Sequence, residues 1–311
     1  MRRYFSTFPA GCYEIISRNI KSFQLNDLKI VEHDDSSVIF ESLLPIERLT
    51  ELRYFTNVYI VLEGSAPTIK PVLRGKYFRL MLLKNGTANQ LEVSERTKLE
   101  SKIKQEFGLE PNTHLSKNDF YVIERLSGNR LFTLRLPKAG FKKEKLSKGE
   151  LRPELAYILC LSAGMKAKYT LVDLFAGYGS IPAEAIRGFG CKNVIAIDSQ
   201  LLPKRHEYSA ITWHKADARD LNFITNNSVD RVITDPPWGN YDSQIDNLQS
   251  LYVDFTKEMT RILKPNGIAV VLSGYDKAQE CLEKTGNLLL IKKWNILVSG
   301  KKAMIFKLQK P

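Results

Sequence analysis

The sequence lacks several features that would identify common classes of protein. Its four cysteines are far apart and form no CxxC pair, so neither a disulfide framework nor a cysteine zinc site is expected. The four histidines show no HxxxH spacing, and we expect no bound metal. No apolar run approaches the length of a membrane span, and the first residues lack the apolar core of a signal peptide. We therefore expect a cytoplasmic protein with reduced thiols and no membrane contact.

The 311 residues contain more basic than acidic side chains. The net charge is +12, and the isoelectric point is near 9.4. This balance favours a polyanionic partner, and because no basic amphipathic helix stands out, nucleic acid is favoured over a membrane surface. The apolar fraction of 43% is typical of a globular chain, and the length indicates two domains.

One stretch in the C-terminal half combines a buried strand with an abrupt exit. The β-branched residues Val232 and Ile233 predict a strand over 229–234, and Asp235-Pro236-Pro237 ends it. Prolines cannot donate to a sheet ladder and they fix φ, so the chain leaves as a rigid, extended segment that leads to Trp238. A carboxylate, proline carbonyls and a flat ring at one strand end suit a planar ring with an amino group. We interpret the four residues as a nucleobase pocket; the alternative is an ordinary Pro-Pro turn with a surface tryptophan.

The N-terminal part alternates helix-like and strand-like stretches. The order β-α-β-β-α-β over residues 1–64 predicts a small ferredoxin-like unit. Over residues 65–137, a strand, a long amphipathic helix at 93–107 and a hairpin predict a second α+β unit. Residues 138–148 are basic, contain glycine and lack periodicity, which is typical of a linker.

Basic residues are concentrated in the hairpin and this linker. They are interleaved with Tyr121, Phe132 and Phe141, a pattern that fits a phosphate backbone, although a charge run is also typical of a solvated surface. The residues that we assign to RNA binding on this basis are Arg130, Arg135, Lys138, Lys142, Lys143 and Lys145.

From residue 149 to 311 the pattern changes to apolar strands separated by helices. Continuous apolar strands of this kind predict a parallel sheet that is covered on both faces. The last two strands, over 288–293 and 304–308, are joined across a glycine and predict an antiparallel edge. The fold class is therefore α/β: a mostly parallel, Rossmann-like sheet with an antiparallel edge, preceded by an α+β region.

A glycine-rich turn follows the first strand of this sheet. Asp173 leads into Gly177 and Gly179, and ligands of open α/β sheets bind at such strand ends, where glycine allows a close approach to the backbone. Pro182 stands where a dinucleotide fingerprint requires a third glycine. The interpretation as a phosphate-binding turn therefore loses support.

Acidic residues follow the next two strands. Asp198 ends the second strand and could hold the ribose hydroxyls of either a dinucleotide or an adenosyl cofactor. Asp217 follows the third strand and could accept a hydrogen bond from an adenine amino group. Either aspartate could instead cap the next helix.

Together these motifs resemble those of class I S-adenosylmethionine-dependent methyltransferases. Asp235-Pro-Pro-Trp238 is similar to the signature of the amino-methylating members. This resemblance implies that the four residues are catalytic. It implies S-adenosylmethionine as the cofactor. The cofactor-binding residues that it implies are Asp173, Phe175, Ala176, Gly177, Gly179, Asp198, Asp217, Ala218 and Asp235.

A second resemblance is to the THUMP-containing tRNA guanine-N2 methyltransferases. Residues 149–156 resemble the helix before their cofactor loop, and residues 1–137 are similar to their ferredoxin-like and THUMP region, although Lys138-Ala-Gly-Phe141 replaces their Arg-Gly-Tyr-like segment. It implies that a monomer methylates guanine N2 in tRNA. A DNA adenine-N6 or protein-glutamine amino-methyltransferase, and a non-catalytic RNA-binding protein, are the alternatives.

Overall fold

The computed structural model describes residues 1–22, 27–62, 69–84, 86–125, 127–137, 146–202, 206, 208–239, 247–285 and 287–311. The chain divides into two compact units, Met1–Thr7 with Gln24–Lys142, and Phe8–Phe23 with Lys143–Pro311. Helix α1 (Tyr13–Ser22) therefore belongs to the second unit. Over the described ranges, no helix combines the length and apolarity needed to cross a membrane. The same residues contain no group of three or more His, Cys, Asp or Glu that could hold a metal ion.

The first unit is built on one nine-stranded sheet in the order β2-β3-β1-β4-β9-β8-β5-β6, with β7 paired to β5. Its strands are β1 (Arg2–Thr7), β2 (Leu28–His33), β3 (Ser37–Ser42), β4 (Asn57–Val61), β5 (Tyr77–Lys84), β6 (Thr87–Asn89), β7 (Glu110–Pro111), β8 (Asn118–Glu124) and β9 (Arg130–Arg135). Strands β1 to β4 are antiparallel in the ferredoxin-like order. Because β4 also pairs with β9, the two predicted α+β units share one sheet.

The helices of the first unit are α2 (Ile46–Thr50) and α3 (Val93–Phe107). The sequence pattern predicts a helix over 46–55, but α2 ends at Thr50 and the chain turns at Glu51. Helix α3 has the predicted bounds and ends at Gly108, whose φ of +69° is left-handed. Its buried face is limited to Ile103, with the Phe107 ring 5.8 Å from that of Phe120. The helix is therefore mostly solvated, rather than amphipathic as predicted.

The second unit has a seven-stranded sheet in the order β12-β11-β10-β13-β14-β16-β15. Its strands are β10 (Thr170–Asp173), β11 (Asn193–Asp198), β12 (Ile211–Lys215), β13 (Val229–Thr234), β14 (Leu263–Ser273), β15 (Leu289–Val298) and β16 (Lys301–Gln309). Its further helices are α4 (Pro153–Ser162), α5 (Ser180–Phe189), α6 (Leu248–Ile262) and α7 (Ala278–Thr285). The strands from β10 to β14 are parallel, and β16 is antiparallel to both of its neighbours, which confirms the predicted sheet and edge.

Buried apolar side chains and local caps fix the elements around the sheet. Core residues on β10, β13, β14, α6 and α7 form one continuous cluster. Pro153 occupies the first turn of α4, where its missing N–H costs nothing. The side chain of Asn247 begins α6 by accepting from the Ser250 amide at 2.9 Å. These contacts hold the carboxyl ends of β10 and β13 side by side, at the point where the strand order reverses.

A short segment from the start of the chain lies on the edge strand β15. The Leu297 amide donates to the Ala10 carbonyl at 3.1 Å. Gly11 has a φ of +86°, and a Cβ there would lie 2.9 Å from the Ile296 Cα and still closer to the Asn295 carbonyl. Only glycine fits this close approach of two backbones.

Helix α1 adds side-chain contacts to the same strand. Glu14 accepts from the Trp294 indole at 2.9 Å and pairs with the Lys292 ammonium at 3.0 Å. The predicted ferredoxin-like unit over 1–64 included this helix, whereas in the structure residues 8–23 group with the C-terminal unit.

Candidate active site

The ends of the adjacent parallel strands β10 and β13 are joined by a buried hydrogen-bond cluster. Thr234 Oγ1 donates to Asp173 Oδ1 at 2.8 Å. The Phe175 amide donates to the same Thr234 hydroxyl at 3.1 Å and to Asp173 Oδ1 at 3.3 Å. Asp173 therefore sets the start of the glycine-rich turn and ties it to the strand that carries Asp235.

The glycine-rich turn has the geometry that its sequence predicts. Gly177 and Gly179 have φ values of +52° and +83°, and Gly179 precedes the first residue of α5. A Cβ on Gly179 would lie 2.9 Å from the rigid Trp213 ring, so a side chain is also excluded by packing. Pro182 lies in the first turn of α5, as expected.

Asp198 holds this turn from the end of β11. Its Oδ2 accepts from the Gly177 amide at 2.8 Å, and its Oδ1 accepts from the Gln200 amide at 2.9 Å. A carboxylate oxygen has a further lone pair, so both oxygens can still accept from a ligand hydroxyl. The ribose-binding role stays a prediction, and the structure adds a role in shaping the turn.

Asp217 follows the adjacent strand, β12, and forms an ion pair with Arg219. Its carboxylate accepts from the Arg219 guanidinium at 2.6 and 2.9 Å, and these hydrogen bonds lower the pKa of Asp217. A hydrogen bond to an adenine amino group would compete with this ion pair. Ala218 between them is buried in the core. Their roles in cofactor binding stay predictions.

The segment over 149–156 reaches the same turn from α4. The Glu150 carboxylate lies 3.3 Å from the His206 ring nitrogen Nε2. The His206 amide in turn donates to the Tyr178 carbonyl, between the two glycines, at 2.7 Å. This part of the sequence therefore lies beside the glycine-rich turn.

Asp235 and Trp238 contact each other across the two prolines. The Trp238 indole Nε1 donates to Asp235 Oδ1 at 2.9 Å. The ring lies against Gly274, where an added Cβ would be 2.9 Å from Cδ2 and 3.0 Å from Cζ3. Both side chains are half-buried. The tryptophan is therefore fixed within the site, which argues against an ordinary turn with a surface ring.

A second contact fixes the proline segment from α6 and β14. The Tyr252 hydroxyl donates to the Pro237 carbonyl at 3.1 Å and lies 2.6 Å from Ser273 Oγ. Among the residues that the structure describes, none donates to Asp235 Oδ2 or to the Pro236 carbonyl. As far as the described part of the chain goes, Asp235 Oδ2 and the Pro236 carbonyl are therefore available as acceptors at the end of β13.

The charge of this site fits a cationic ligand. Burial raises the pKa of Asp173 to about 8 and that of Asp235 to about 7. Within the described part of the chain, neither carboxylate forms an ion pair with a lysine or arginine. A ligand with positive charge would supply the missing partner, whereas the pyrophosphate of a dinucleotide would add repulsion. The residues therefore fit the sulfonium and ammonium groups of S-adenosylmethionine better than a dinucleotide.

Only some of the predicted RNA-binding residues can be placed. Arg130 pairs with Glu95 at 2.9 Å, and Arg135 pairs with Asp119. Both are in the first unit. Lys138, Lys142, Lys143 and Lys145 lie outside the described residues, so their role stays a prediction.

The sequence analysis did not identify the residues that fix the site residues in position. Thr234, Tyr252, Ser273 and Gly274 hold the aspartates, the proline segment and the Trp238 ring. A signal existed for Ser273 and Gly274, because they stand at the carboxyl end of an apolar run that forms β14, next to β13 in the sheet. Tyr252 lies inside a helix, and nothing in its spacing distinguishes it from a core residue.

Comparison with known proteins matches part of this sequence to methyltransferases. Residues 204–301 match the family model described as UPF0020: RMKL-like, methyltransferase domain. A tRNA (guanine(6)-N2)-methyltransferase of Thermus thermophilus is 30% identical over 154 residues. The matched region covers 46% of this chain and 44% of that relative, less than half of its length.

Solved structures match over the whole chain. TrmN from Thermus thermophilus superposes with a TM-score of 0.74 at 18% identity, covering 100% of both chains. SMU.472, a putative methyltransferase complexed with SAH, superposes with a TM-score of 0.70 at 13% identity, covering 100% of this chain and 98% of that one. The chain thus has the fold of a class I S-adenosylmethionine-dependent methyltransferase and resembles the THUMP-containing tRNA methyltransferases.

Proposed function

We propose that this protein is a monomeric, cytoplasmic methyltransferase that uses S-adenosylmethionine to methylate an exocyclic amine of an RNA base, guanine N2 in tRNA. The observation that carries this proposal is the pair of open acceptors, Asp235 Oδ2 and the Pro236 carbonyl, beside the fixed Trp238 ring. A primary aromatic amine has two N–H groups and a flat ring, and this arrangement complements both.

The cofactor residues are assigned by their position around the glycine-rich turn. Asp198 would hold the ribose, and Gly177 and Gly179 would allow the adenosyl group to approach the backbone. Asp173 and Asp235 would face its positive charge. When bound, S-adenosylmethionine supplies an electrophilic methyl group on sulfur.

The protein contributes orientation to the reaction. An aromatic amine is a weak nucleophile because its lone pair is conjugated with the ring. Hydrogen bonds to Asp235 Oδ2 and the Pro236 carbonyl would hold the nitrogen in a pyramidal geometry and free its lone pair. The nitrogen gains a methyl group and loses one proton, which an ionised Asp235 can accept. Stacking on Trp238 would hold a base that has been turned out of its helix.

A basic cleft in the first unit supports RNA as the substrate. It has a volume of about 430 Å³, and its lining includes Arg74, Arg79, Lys117 and Arg135, with Asp119 as the acidic member. Arg79 holds the Asp119 carboxylate with hydrogen bonds of 2.5 and 2.9 Å. One carboxylate cannot neutralise four cations, so the cleft keeps a positive charge that suits phosphates.

Hydrogen bonds from the start of β8 fix the shape of the cleft. The Asn118 side chain donates to the Arg74 and Tyr77 carbonyls at 2.7 and 2.8 Å and accepts from the Arg74 amide at 2.8 Å. Arg74 and Lys117 are at least partly exposed beside it. A preformed positive surface loses little entropy when an RNA backbone binds.

The test is transfer of a labelled methyl group to unmodified tRNA transcripts, followed by mass spectrometry of the nucleosides. We expect N2-methylguanosine. N6-methyladenosine in DNA, or methylglutamine in a protein substrate, would replace the proposal with an alternative. Binding of S-adenosylhomocysteine without transfer to any substrate would favour a non-catalytic RNA-binding protein.

A further inference from the structure

The hydrogen bond between Trp238 and Asp235 indicates a role for the tryptophan besides stacking of a base. Stacking a base requires only a flat ring, which phenylalanine or tyrosine also provides. An indole in addition has one N–H donor, and here that donor lies 2.9 Å from Asp235 Oδ1. The two prolines between these residues fix the chain and limit the ways in which both can move.

The position of the ring depends on a missing side chain on the neighbouring strand. Gly274 directly follows β14, and the six-membered part of the indole lies on its backbone. A methyl group at this position would overlap the ring, which cannot bend away as a flexible side chain could. Gly274 does not have a left-handed φ. Its small size is therefore used for packing and not for a turn.

We propose that Trp238 is a positioning residue for Asp235, in addition to a stacking surface, and that Gly274 makes this possible. The indole N–H occupies Oδ1, and Oδ2 is thereby turned toward the substrate amine. Tyr252 does the same for the prolines, since it occupies the Pro237 carbonyl and leaves that of Pro236 open. This inference rests on the proposed amine methylation, but the contact itself can be tested without turnover.

The same hydrogen bond favours the ionised form of Asp235. Burial raises the pKa of this carboxyl to about 7, and the Trp238 hydrogen bond opposes the rise. Over the described ranges, the other titratable groups that interact with Asp235 are the Asp173 carboxyl at the end of β10 and the Tyr252 hydroxyl on α6. Neither donates a hydrogen bond to it among the residues described. Removing the indole N–H should therefore raise the pKa of Asp235 further.

The test compares Trp238→Phe with a matched control, Trp294→Phe. Trp294 also donates its indole N–H to a carboxylate, Glu14, at 2.9 Å, but it lies on β15. We expect Trp238→Phe to retain RNA affinity and to lose roughly tenfold in single-turnover rate at neutral pH, the factor for one hydrogen bond to a charged group. The acid limb of its pH–rate profile should move to higher pH. Trp294→Phe should leave that profile in place.

A direct measurement separates this inference from the proposed function. Carbon-13 NMR of labelled aspartate, with Asp235→Asn to assign the signal, gives the pKa of Asp235 in each variant without any substrate. An upward change in Trp238→Phe, and also in Gly274→Ala, which displaces the ring, would support the inference even if no RNA is methylated. An unchanged pKa in both folded variants, or a pH–rate profile that superposes on the wild type, would overturn it.

Discussion

Thr234 donates a hydrogen bond of 2.8 Å from its hydroxyl to Asp173 Oδ1, and so joins the ends of two parallel strands. The same hydroxyl accepts from the Phe175 amide, which begins the glycine-rich turn. The two halves of the proposed site, one for the cofactor and one for the amine, therefore share a single buried threonine.

Thr234→Val should destabilise the protein and disturb both halves together. The change removes the hydrogen bond that Thr234 donates to the Asp173 carboxyl and the one that it accepts from the Phe175 amide, and it should cost about 1–3 kcal/mol of unfolding free energy. Thr256→Val is the matched control, because this buried hydroxyl only bonds the carbonyl one turn back in α6, at 2.6 Å. Urea denaturation of both variants measures the difference. Equal losses would show that Thr234 has no special structural role.

Asp198→Ala should weaken cofactor binding by about 1–3 kcal/mol, since ribose hydroxyls lose an acceptor and the Gly177 amide loses its partner. Asp217→Ala should have a smaller effect, because Arg219 already engages that carboxylate. Titration calorimetry with S-adenosylhomocysteine compares the two. Unchanged affinity in Asp198→Ala would leave this residue with a capping role only.

Asp235→Ala should separate binding from chemistry. We expect S-adenosylhomocysteine affinity close to that of the wild type and loss of most single-turnover activity, because Asp235 is assigned to the substrate amine and to the sulfonium charge, which S-adenosylhomocysteine lacks. The melting temperature should be measured on the same protein, since the Trp238 indole would lose its acceptor. A normal rate of methylation would remove Asp235 from the proposed mechanism.

The raised pKa values predict how stability depends on pH. For Asp173 and Asp235 the folded protein favours the protonated form, with pKa values of about 8 and about 7 against an ordinary value of 3.8. Their contribution to stability is complete below the ordinary value and is lost as the pH rises through the two folded values. The melting temperature of the ligand-free protein should therefore decline from mildly acidic to mildly alkaline pH.

Two comparisons identify the cause of this decline. Asp173→Asn can keep both hydrogen bonds as an acceptor but cannot ionise, so its melting temperature should depend less on pH. S-adenosylmethionine should reduce the decline more than S-adenosylhomocysteine, which lacks the sulfonium charge. Identical pH profiles with the two ligands would contradict the assignment of these carboxylates to a positive charge.

The basic cleft can be tested with a pair of charge-matched double variants. Arg74→Gln with Lys117→Gln removes two cations from the cleft and should lower the slope of log affinity against log salt by roughly 1.4–1.8 for RNA. Arg96→Gln with Lys104→Gln removes the same charge from α3, where both residues already pair with glutamates. Equal slopes in the two variants would show a response to net charge alone.

The sheet of the second unit was predictable from the sequence because its signals are local. The run over 229–234 became β13 with these bounds, and the antiparallel edge follows from two apolar runs around a glycine. The Asp173, Asp198 and Asp235 positions were predictable because they directly end strands of a parallel sheet. The hydrogen-bond partners of these aspartates that come from distant parts of the chain were not predictable. Thr234, the partner of Asp173, is an example.

The rest depended on long-range packing. Hydrophobic spacing predicted a helix near the start of the chain but could not indicate which unit it would join. The same limit applies to the nine-stranded sheet, because the pairing of β4 with β9 has no signal in either strand alone. Trp238 could be identified as part of a pocket. Its packing against Gly274 could not, because a glycine has no side chain whose chemistry would indicate a contact.

The position of α1 has a consequence for how the protein is made. Glu14 and Trp294, which contact each other, are 280 residues apart in the chain. The ribosome therefore makes the helix long before the strand that it contacts. Until β15 is made, the Ala10 carbonyl and the Glu14 carboxylate lack these partners, so this part of the second unit closes late in synthesis. Substitutions at Gly11 or Glu14 should therefore lower the yield of the second unit, although most of that unit lies beyond residue 142.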